Sequence, residues 1–396
     1  MRIAHVIGIF SPEHGGPVVS CRNYALSQAR LGHEVSLYTL EGYAETSPAL
    51  RLGEEVTQHV FRVNAPAKLG WSRRLRRLLL AAEPADVYHL HGIWLRAMYY
   101  GRLKARKERK PYLVEINGAL DPLELASKPW RKRLVSWWYQ DRLLREAGCI
   151  HVNSSREARH VRELGFDQPI AIIPAGFNSR EMALLLEKAK AAPPSWGPML
   201  QNAKVLLYLA RVHPAKGIDL LLEAWRRLGA RAAGWKLVIV GPGDSREVAK
   251  WRKDYHDLEA SGRCLWLGLV SDQDRAWIYD RSSVYVLPSR KENFGNTIQE
   301  AMGQAIPVIT TTETPWQDIE EWECGWLCRP EVDDLCSAVA RAIETGPEIL
   351  AAMGRRGRAI INDRYSLEAV VDRQIEVYRW LSGGPFPTWV MRSNET

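Results

Sequence analysis

Two glutamates, Glu292 and Glu300, bracket the segment ENFGNTIQE, with Asn293, Phe294, Gly295, Asn296 and Thr297 between them. Apolar runs flank it: VYVLPS (284–289) before and AIPVIT (305–310) after. The pair is therefore expected at the carboxyl end of a buried strand, one glutamate on each side of a glycine turn. A helix starting near Gly295–Asn296 leaves Glu292 in a loop and places Glu300 on the helix. The unpaired N–H groups around Phe294 to Thr297 then suit phosphate oxygens. Carboxylates are poor phosphate ligands but good acceptors for sugar hydroxyls. The ligand so described is a sugar, a diphosphate and a ribose in line: a nucleotide sugar.

Two other junctions carry candidate groups. In LARVHPAKGIDLLLEAW, Arg211 and Lys216 follow a predicted strand and precede a helix beginning near Gly217. Left empty, two cations at a helix N-terminus oppose its dipole. A diphosphate between them removes the conflict, with Arg as a fork and Lys as a point charge. Two solvated surface cations are the alternative. In FSPEHGGPVVS, Gly15 and Gly16 permit a tight turn just ahead of a helix start, where an anion meets free N–H groups. A tight turn with no ligand is the alternative there.

The elements that must hold these groups follow an alternating pattern. A length of 396 residues suggests two domains. RIAHVIGIF, HEVSLYTL, DVYHLHG, PYLVEING, CIHVNSS and PIAIIPAG read as strands, with helix-period segments between most of them. The pattern breaks at KAKAAPPSWGPMLQNAK and restarts with VLLYLAR, WKLVIVGPGD, RCLWLGLV, SVYVLPS and IPVITT. The expected fold is α/β: two doubly wound Rossmann-like domains facing each other across a cleft, where such sheets bind ligands. The expected boundaries are 1–185 for an acceptor domain, 186–203 for a linker and 204–365 for a donor domain. Residues 366–396 form a C-terminal helix and tail free to pack on either domain.

Composition narrows the class. Hydrophobic content of 46% and charged content of 25% are those of a soluble globular protein. Among six cysteines only Cys324 and Cys328 lie close together, so buried free thiols in a reducing compartment are expected. The first residues, MRIAHVIGIFSPEHGG, read better as a strand entering a glycine turn than as a signal peptide. The chain is placed in the cytoplasm, at the inner face of a membrane. That last expectation rests on the uneven net charge of +8, concentrated in WSRRLRRLLLAAE, GRLKARKERK and KPWRKRLVSWWYQDRLLR. Solvated helix faces are one reading. The tryptophans Trp130, Trp137 and Trp138 favour the other, an anionic membrane surface. No aromatic-rich sheet motif or groove-reading helix points to specific nucleic-acid binding.

ENFGNTIQEAM, preceded by VLPS and followed by PVI, resembles the donor signature of the retaining family 4 glycosyltransferases with the GT-B fold. ARVHPAKGIDLLLEAW resembles the phosphate-binding loop of that family, and GGPVVSCRNYALSQARLGHEVSLYT is similar to its N-terminal opening. The resemblance runs from near residue 1 to about residue 380. It implies transfer of a sugar from a nucleotide donor to an acceptor hydroxyl, with retention and without a metal or other cofactor. Glu292 would face the sugar hydroxyls, backbone from Asn293 to Thr297 would bind phosphate and sugar, and Glu300 would hold the ribose. Arg211 and Lys216 would stabilise the departing diphosphate. Leu269 and Val270, in LGLVSD, would touch the nucleobase, and Gly15 and Gly16 would approach the donor from the other domain.

One departure concerns the acceptor side. Many relatives carry a histidine where EINGALDP has Asn117, and an amide cannot titrate. His91, in HLHGIW, is a candidate substitute or a structural histidine. Family frequency favours a UDP-sugar, with UDP-glucose first and GDP-mannose second, and a glycan or lipid-linked acceptor in polysaccharide or glycolipid synthesis.

Other readings fit less well. A glycoside hydrolase would leave Arg211 and Lys216 without a task. Asp272 and Asp274 could mark a metal-dependent transferase, but Ser271 and Asp274 form a simpler helix-capping box. A dehydrogenase needs G-x-G-x-x-G, and neither IGIFSPEHGG nor GPGD supplies it. A non-catalytic nucleotide- or sugar-binding protein of the same architecture is the remaining alternative.

Overall fold

The structure is a computed structural model that describes the chain except residues 44–46, 66, 127–129, 131–132, 134 and 394–396. It divides into two compact units, 1–176 with 367–396, and 177–366.

The first unit is built on a seven-stranded parallel sheet. Its strands are β1 (Arg2–Ile7), β2 (Glu34–Glu41), β3 (Thr57–Arg62), β4 (Val87–His91), β5 (Tyr112–Glu115), β6 (Cys149–Val152) and β7 (Ile170–Ile172). They lie in the order β3-β2-β1-β4-β5-β6-β7. The central strands are buried along almost their whole length, as helices on both faces require. The second unit carries six parallel strands: β8 (Lys204–Leu209), β9 (Trp235–Val240), β10 (Cys264–Gly268), β11 (Val284–Leu287), β12 (Val308–Thr311) and β13 (Gly325–Cys328). Their order is β10-β9-β8-β11-β12-β13. In each sheet the order reverses beside the first strand, so both units are doubly wound.

Two strands carry little sequence signal. β3 is an edge strand in which only Phe61 is buried, and β13 is only the four residues GWLC. All six cysteines are free, and five are buried.

The first division falls between Gly176 and Phe177, earlier than the boundary at 185 suggested by the break in composition. The helix Ser179–Ala191 belongs to the second unit, where Gln273 Nε2 donates to the Lys188 carbonyl at 3.1 Å and Lys190 pairs with Asp280 at 3.3 Å. The stretch read as a linker thus contains the end of that helix and a short 3₁₀ turn, Gly197–Leu200. The C-terminal helix Leu367–Leu381 packs in the first unit, burying Val370, Val371, Gln374 and Tyr378. Gly148 permits this contact, because a Cβ there would lie 2.8 Å from Leu381 Cδ2.

Candidate active site

In the second unit, the segments after β8 and β11 meet at the carboxyl edge of the sheet. Gly217 makes this possible. Its φ is +68°, and a Cβ would fall 1.9 Å from the Pro288 carbonyl oxygen. Only glycine allows the turn Pro214–Lys216 to lie against the end of β11. The segments are then laced together: Arg290 N–H donates to the Ala215 carbonyl at 2.9 Å, and the Arg290 guanidinium forks onto Asp219 with two bonds of 2.7 Å. Lys216 Nζ reaches Glu292 Oε2 at 2.5 Å, and Ser289 Oγ lies 3.4 Å from the same oxygen. Arg211 is exposed, and its guanidinium has no hydrogen bond or ion pair among the described residues.

The glycine turn behaves as the sequence suggests. Gly295 has φ +86° and caps the helix Asn296–Gly303. Helix geometry leaves the N–H groups of Asn296 and Thr297 without intrahelical partners. Phe294 is a core side chain, packed against Trp316 and Tyr365, while its carbonyl accepts from Trp316 Nε1 at 2.6 Å. Its contribution to a ligand is therefore confined to backbone. The Tyr285 hydroxyl binds Thr297 Oγ1 at 2.6 Å and the Leu209 carbonyl at 3.0 Å, which fixes the helix start against the end of β8. Asn293 is half-buried beside it.

Glu300 is held by two residues that the sequence did not single out. Arg275 Nη1 lies 2.8 and 2.9 Å from its two oxygens, and the Tyr279 hydroxyl donates at 3.0 Å. The carboxylate in turn raises the Arg275 pKa. Arg275 and Tyr279 stand four apart on the helix Asp272–Arg281, the spacing that puts two side chains on one face. That spacing was the available signal. Lone pairs remain on Glu300 for a further donor. At the start of the same helix Ser271 is the N-cap, its Oγ accepting from Asp274 N–H at 3.1 Å, which is the serine half of the expected capping box. Leu269 is 78% exposed, an apolar side chain standing in solvent. Val270 beside it is half-buried, and this loop is tied to the next by Gly241 N–H donating to the Gly268 carbonyl at 2.8 Å.

In the first unit, Gly15 (φ +61°) is the N-cap of the helix Gly16–Arg30, and the space beside it is open. Pro17 removes one of the N–H donors of the first turn, leaving that of Gly16 as its first. His91 ends β4 with its ring turned into the core: Nε2 lies 2.8 Å from His5 Nδ1 and Nδ1 lies 2.5 Å from Glu115 Oε2. Both nitrogens are thus engaged. Asn117 sits at φ +48°, a conformation that asparagine tolerates. Its Oδ1 accepts from Asn153 Nδ2 at 3.0 Å. The loop beneath is held by Glu157, which accepts from the Asn153 and Gly118 N–H groups and whose pKa burial pushes up to about 7.

Two sets of atoms in this unit are close enough to suggest a metal: His5, Cys21 and His91, and His89, Glu115 and His151, each within 4.8 Å of one another. In the first set His5 Nδ1 and His91 Nε2 are 2.8 Å apart, a hydrogen-bond length, whereas in the second His89 Nε2 lies 3.3 Å from His151 Nδ1 and 3.9 Å from Glu115 Oε2. Ligands sharing a zinc ion at about 2.0–2.1 Å would stand roughly 3.3 Å apart. Hydrogen bonding accounts for the contacts at His91.

The two sheets are doubly wound and parallel, with candidate groups at the carboxyl edge of the second, the architecture in which such folds place their ligand sites. Family comparison gives the class. Residues 15–176 match the glycosyl transferase 4-like domain, and residues 198–360 match the glycosyl transferases group 1 domain. The chain belongs to the family 4-type glycosyltransferases of GT-B fold. It is 28% identical over 237 residues to the lipopolysaccharide core biosynthesis glycosyltransferase LpsE of Rhizobium meliloti, a match spanning 59% of this chain and 64% of that protein. Its fold is similar to that of sucrose-phosphate synthase from Thermosynechococcus elongatus, with TM-score 0.75, 21% identity and coverage of 96% and 99%. It is also similar to Anabaena HepE in complex with UDP-glucose, with TM-score 0.72, 17% identity and coverage of 95% and 99%.

Proposed function

We propose that the protein is a retaining, metal-independent hexosyltransferase that takes glucose from UDP-glucose to an acceptor hydroxyl in polysaccharide or glycolipid synthesis. The observation that carries the reading is the arrangement around Gly295. A helix N-terminus lies between two carboxylates, each already anchored by a cation: Glu292 by Lys216 and Glu300 by Arg275. Phosphate oxygens fit the N–H groups, the ribose hydroxyls fit Glu300, and the sugar hydroxyls fit Glu292. Arg211 and Lys216 then supply positive charge where the diphosphate departs, and stabilising that charge lowers the barrier. Leu269 and Val270 cover the base. The HepE complex supports the choice of donor, and the LpsE relative supports a lipid-linked or polysaccharide acceptor.

The test is UDP release from UDP-glucose, with GDP release from GDP-mannose run beside it, and with the anomer of the product read by NMR. UDP release and an α-linked product support the reading. GDP release alone would move the donor to GDP-mannose, and a β-linked product would remove retention.

We assign the basic aromatic surface of the first unit to an anionic membrane at the cytoplasmic face. Arg73, Arg74, Arg76 and Arg77 are exposed on one helix whose Leu75 and Leu79 are buried. Trp130, Trp137 and Trp138 are 66%, 79% and 50% exposed. Lys128, Arg131 and Lys132, part of the same basic run, lie outside the described residues. Among the described residues no helix is long and apolar enough to cross a membrane. Cosedimentation with vesicles that contain anionic lipid, lost in neutral vesicles or at high salt, is the expected result. Equal recovery with both vesicle types would remove the assignment.

A further inference from the structure

Two helices of the first unit, Arg73–Ala81 and Arg96–Glu108, each begin on an arginine and carry no acidic residue in the first turn. A cation at that position opposes the helix dipole unless an anion lies beside it. The two helix starts come together at the carboxyl edge of the sheet. Leu95, the N-cap of the second helix, is seated against the loops after β1 and β3: a Cβ on Gly8 would strike Leu95 Cδ1, and one on Gly70 would fall 2.9 Å from Leu95 Cβ. Loops at this edge are where doubly wound sheets hold ligands.

Arg96 is held there among aromatic rings. Its guanidinium carbon lies 4.4 Å from the centroid of Trp138, 5.8 Å from that of Trp71 and 5.9 Å from that of Tyr139. Trp71 carries a second guanidinium, that of Arg73, at 5.7 Å. Rings cover the faces of a guanidinium and leave its N–H edge for an oxyanion. That edge is unspent, because Arg96 Nε is buried and has no hydrogen-bond partner. Among the described residues Arg73, Arg76 and Arg96 form no ion pair.

Tyr100 stands four residues after Arg96, on the same helix face, and is 1% exposed. The groups beside its hydroxyl are the guanidinium groups of Arg96 and Arg76 and the Ser72 N–H. All three are donors, so the hydroxyl proton has no acceptor, and the hydroxyl makes no hydrogen bond of normal geometry. A buried donor without a partner costs free energy that an acceptor recovers. Hydroxyl, guanidinium and backbone N–H groups thus converge as a set of donors, which is the complement of an oxyanion.

We propose that this junction binds a phosphate ester carried by the acceptor, with Arg96 as the fork, Tyr100 as the hydroxyl donor, and Arg73 and Arg76 as further positive charge. A tetrahedral phosphate ester has three free oxygens and takes more of these donors than a planar carboxylate does. The half-exposed ring of Trp138 beside Arg96 offers apolar surface to whatever carries the ester. A soluble sugar phosphate and a lipid-linked phosphate present the same group, and the test separates them. Assignment to the acceptor rests on the transferase reading above; the anion site itself does not.

The probe is methyl phosphate, titrated into the full-length protein and followed by phosphorus NMR linewidth. Cosedimentation with phosphatidylcholine vesicles containing phosphatidic acid is run in parallel. Saturable binding is expected, weakened roughly tenfold or more in Arg96→Gln and in Tyr100→Phe. Binding is kept in Lys216→Ala, which alters the donor site. It is kept as well in Arg74→Gln, which removes the same charge from a residue lining a separate cavity with Tyr38 and Tyr88. The urea midpoint of Tyr100→Phe should not fall, since its hydroxyl donates to nothing within the chain. Arg96→Gln that weakens methyl phosphate but leaves vesicle recovery unchanged assigns a soluble ester, and loss of both assigns a lipid-linked one.

Three results would overturn the proposal. The first is no saturable methyl phosphate binding together with vesicle recovery that ignores Arg96→Gln. The second is equal weakening by Arg74→Gln and Arg96→Gln, the mark of diffuse charge. The third is a Tyr100→Phe variant with a lowered midpoint and unchanged binding, the mark of a structural hydroxyl. If Arg96→Gln does not fold, Tyr100→Phe and Arg74→Gln still decide it. UDP titrated into the same samples keeps the two readings apart: absent UDP binding with the Arg96-dependent signal intact would remove the donor reading and leave this site standing.

Discussion

Lys216 Nζ and Glu292 Oε2 are 2.5 Å apart across 76 residues of sequence, with the lysine side chain 20% and the glutamate 11% exposed. The ion pair joins the two loops that carry the candidate donor chemistry. In the proposed reading, a diphosphate at this position would meet an ammonium already oriented by Glu292, with little side-chain entropy left to lose. Glu292 keeps an oxygen available for a sugar hydroxyl.

Lys216→Ala should slow transfer more than it weakens donor binding. Removing a cation from the departing diphosphate costs roughly 10²–10³ in kcat, by analogy with loss of an oxyanion donor. Steady-state kinetics with UDP-glucose separate the terms: kcat falls at least tenfold more than KM rises. A change confined to KM would place Lys216 outside the reacting centre.

Glu300→Ala should weaken UDP. Hydrogen bonds from ribose to a charged acceptor contribute about 1.5–3 kcal/mol, or roughly 10- to 100-fold in Kd. Arg275→Ala should weaken it too, because Arg275 orients the carboxylate. The double variant should then be less impaired than the sum of the two. Calorimetric titration with UDP reads all three. Full additivity would mean that Arg275 acts independently of Glu300.

Gly217→Ala tests whether the close approach of the turn to Pro288 is required. The positive φ alone costs roughly 1–2 kcal/mol for an alanine, and the clash of a Cβ with the Pro288 carbonyl adds to it. The denaturant midpoint should fall and the donor affinity with it. Substitution at Gly234, which also has positive φ but open space beside it, should cost stability without affecting the donor.

Acid should unfold the first unit through its histidines. His5 and His91 are held down to about 3 by burial, and His89 and His151 are also lowered. Below about pH 6.5 the unfolded chain takes up these protons while the folded chain stays neutral, so stability is lost as pH falls towards 3. Each such histidine contributes a slope of about 1.4 kcal/mol per pH unit. Urea unfolding between pH 7 and 4 should show that loss, and His5→Gln should flatten it. A profile unchanged by the substitution would contradict the assignment.

Much of the second unit was legible in the sequence, because strand and site signals coincide there. The apolar run ending at Leu287, the glycine at 295 and the carboxylates at 292 and 300 each occupy the kind of position their chemistry suggests. What stayed hidden depends on long-range geometry. Arg275 looks like an ordinary helix-surface cation until the fold brings it against Glu300. β3 was obscured by its half-solvated edge, and the end of the first unit by a helix in a segment rich in lysine and alanine. His91 was visible as a residue, but its inward turn follows from His5 and Glu115, which are distant in sequence and adjacent only in the sheet.

The most direct measurement is thermal unfolding of the purified protein with UDP, GDP, ADP and NAD at matched concentration. A ligand at 100 times its Kd adds about 2.7 kcal/mol to the folded state, enough to raise the midpoint by about a degree or more. The account predicts a rise with UDP that is reduced in Glu300→Ala and absent with NAD. No rise with either UDP or GDP, or a rise with NAD alone, would contradict it.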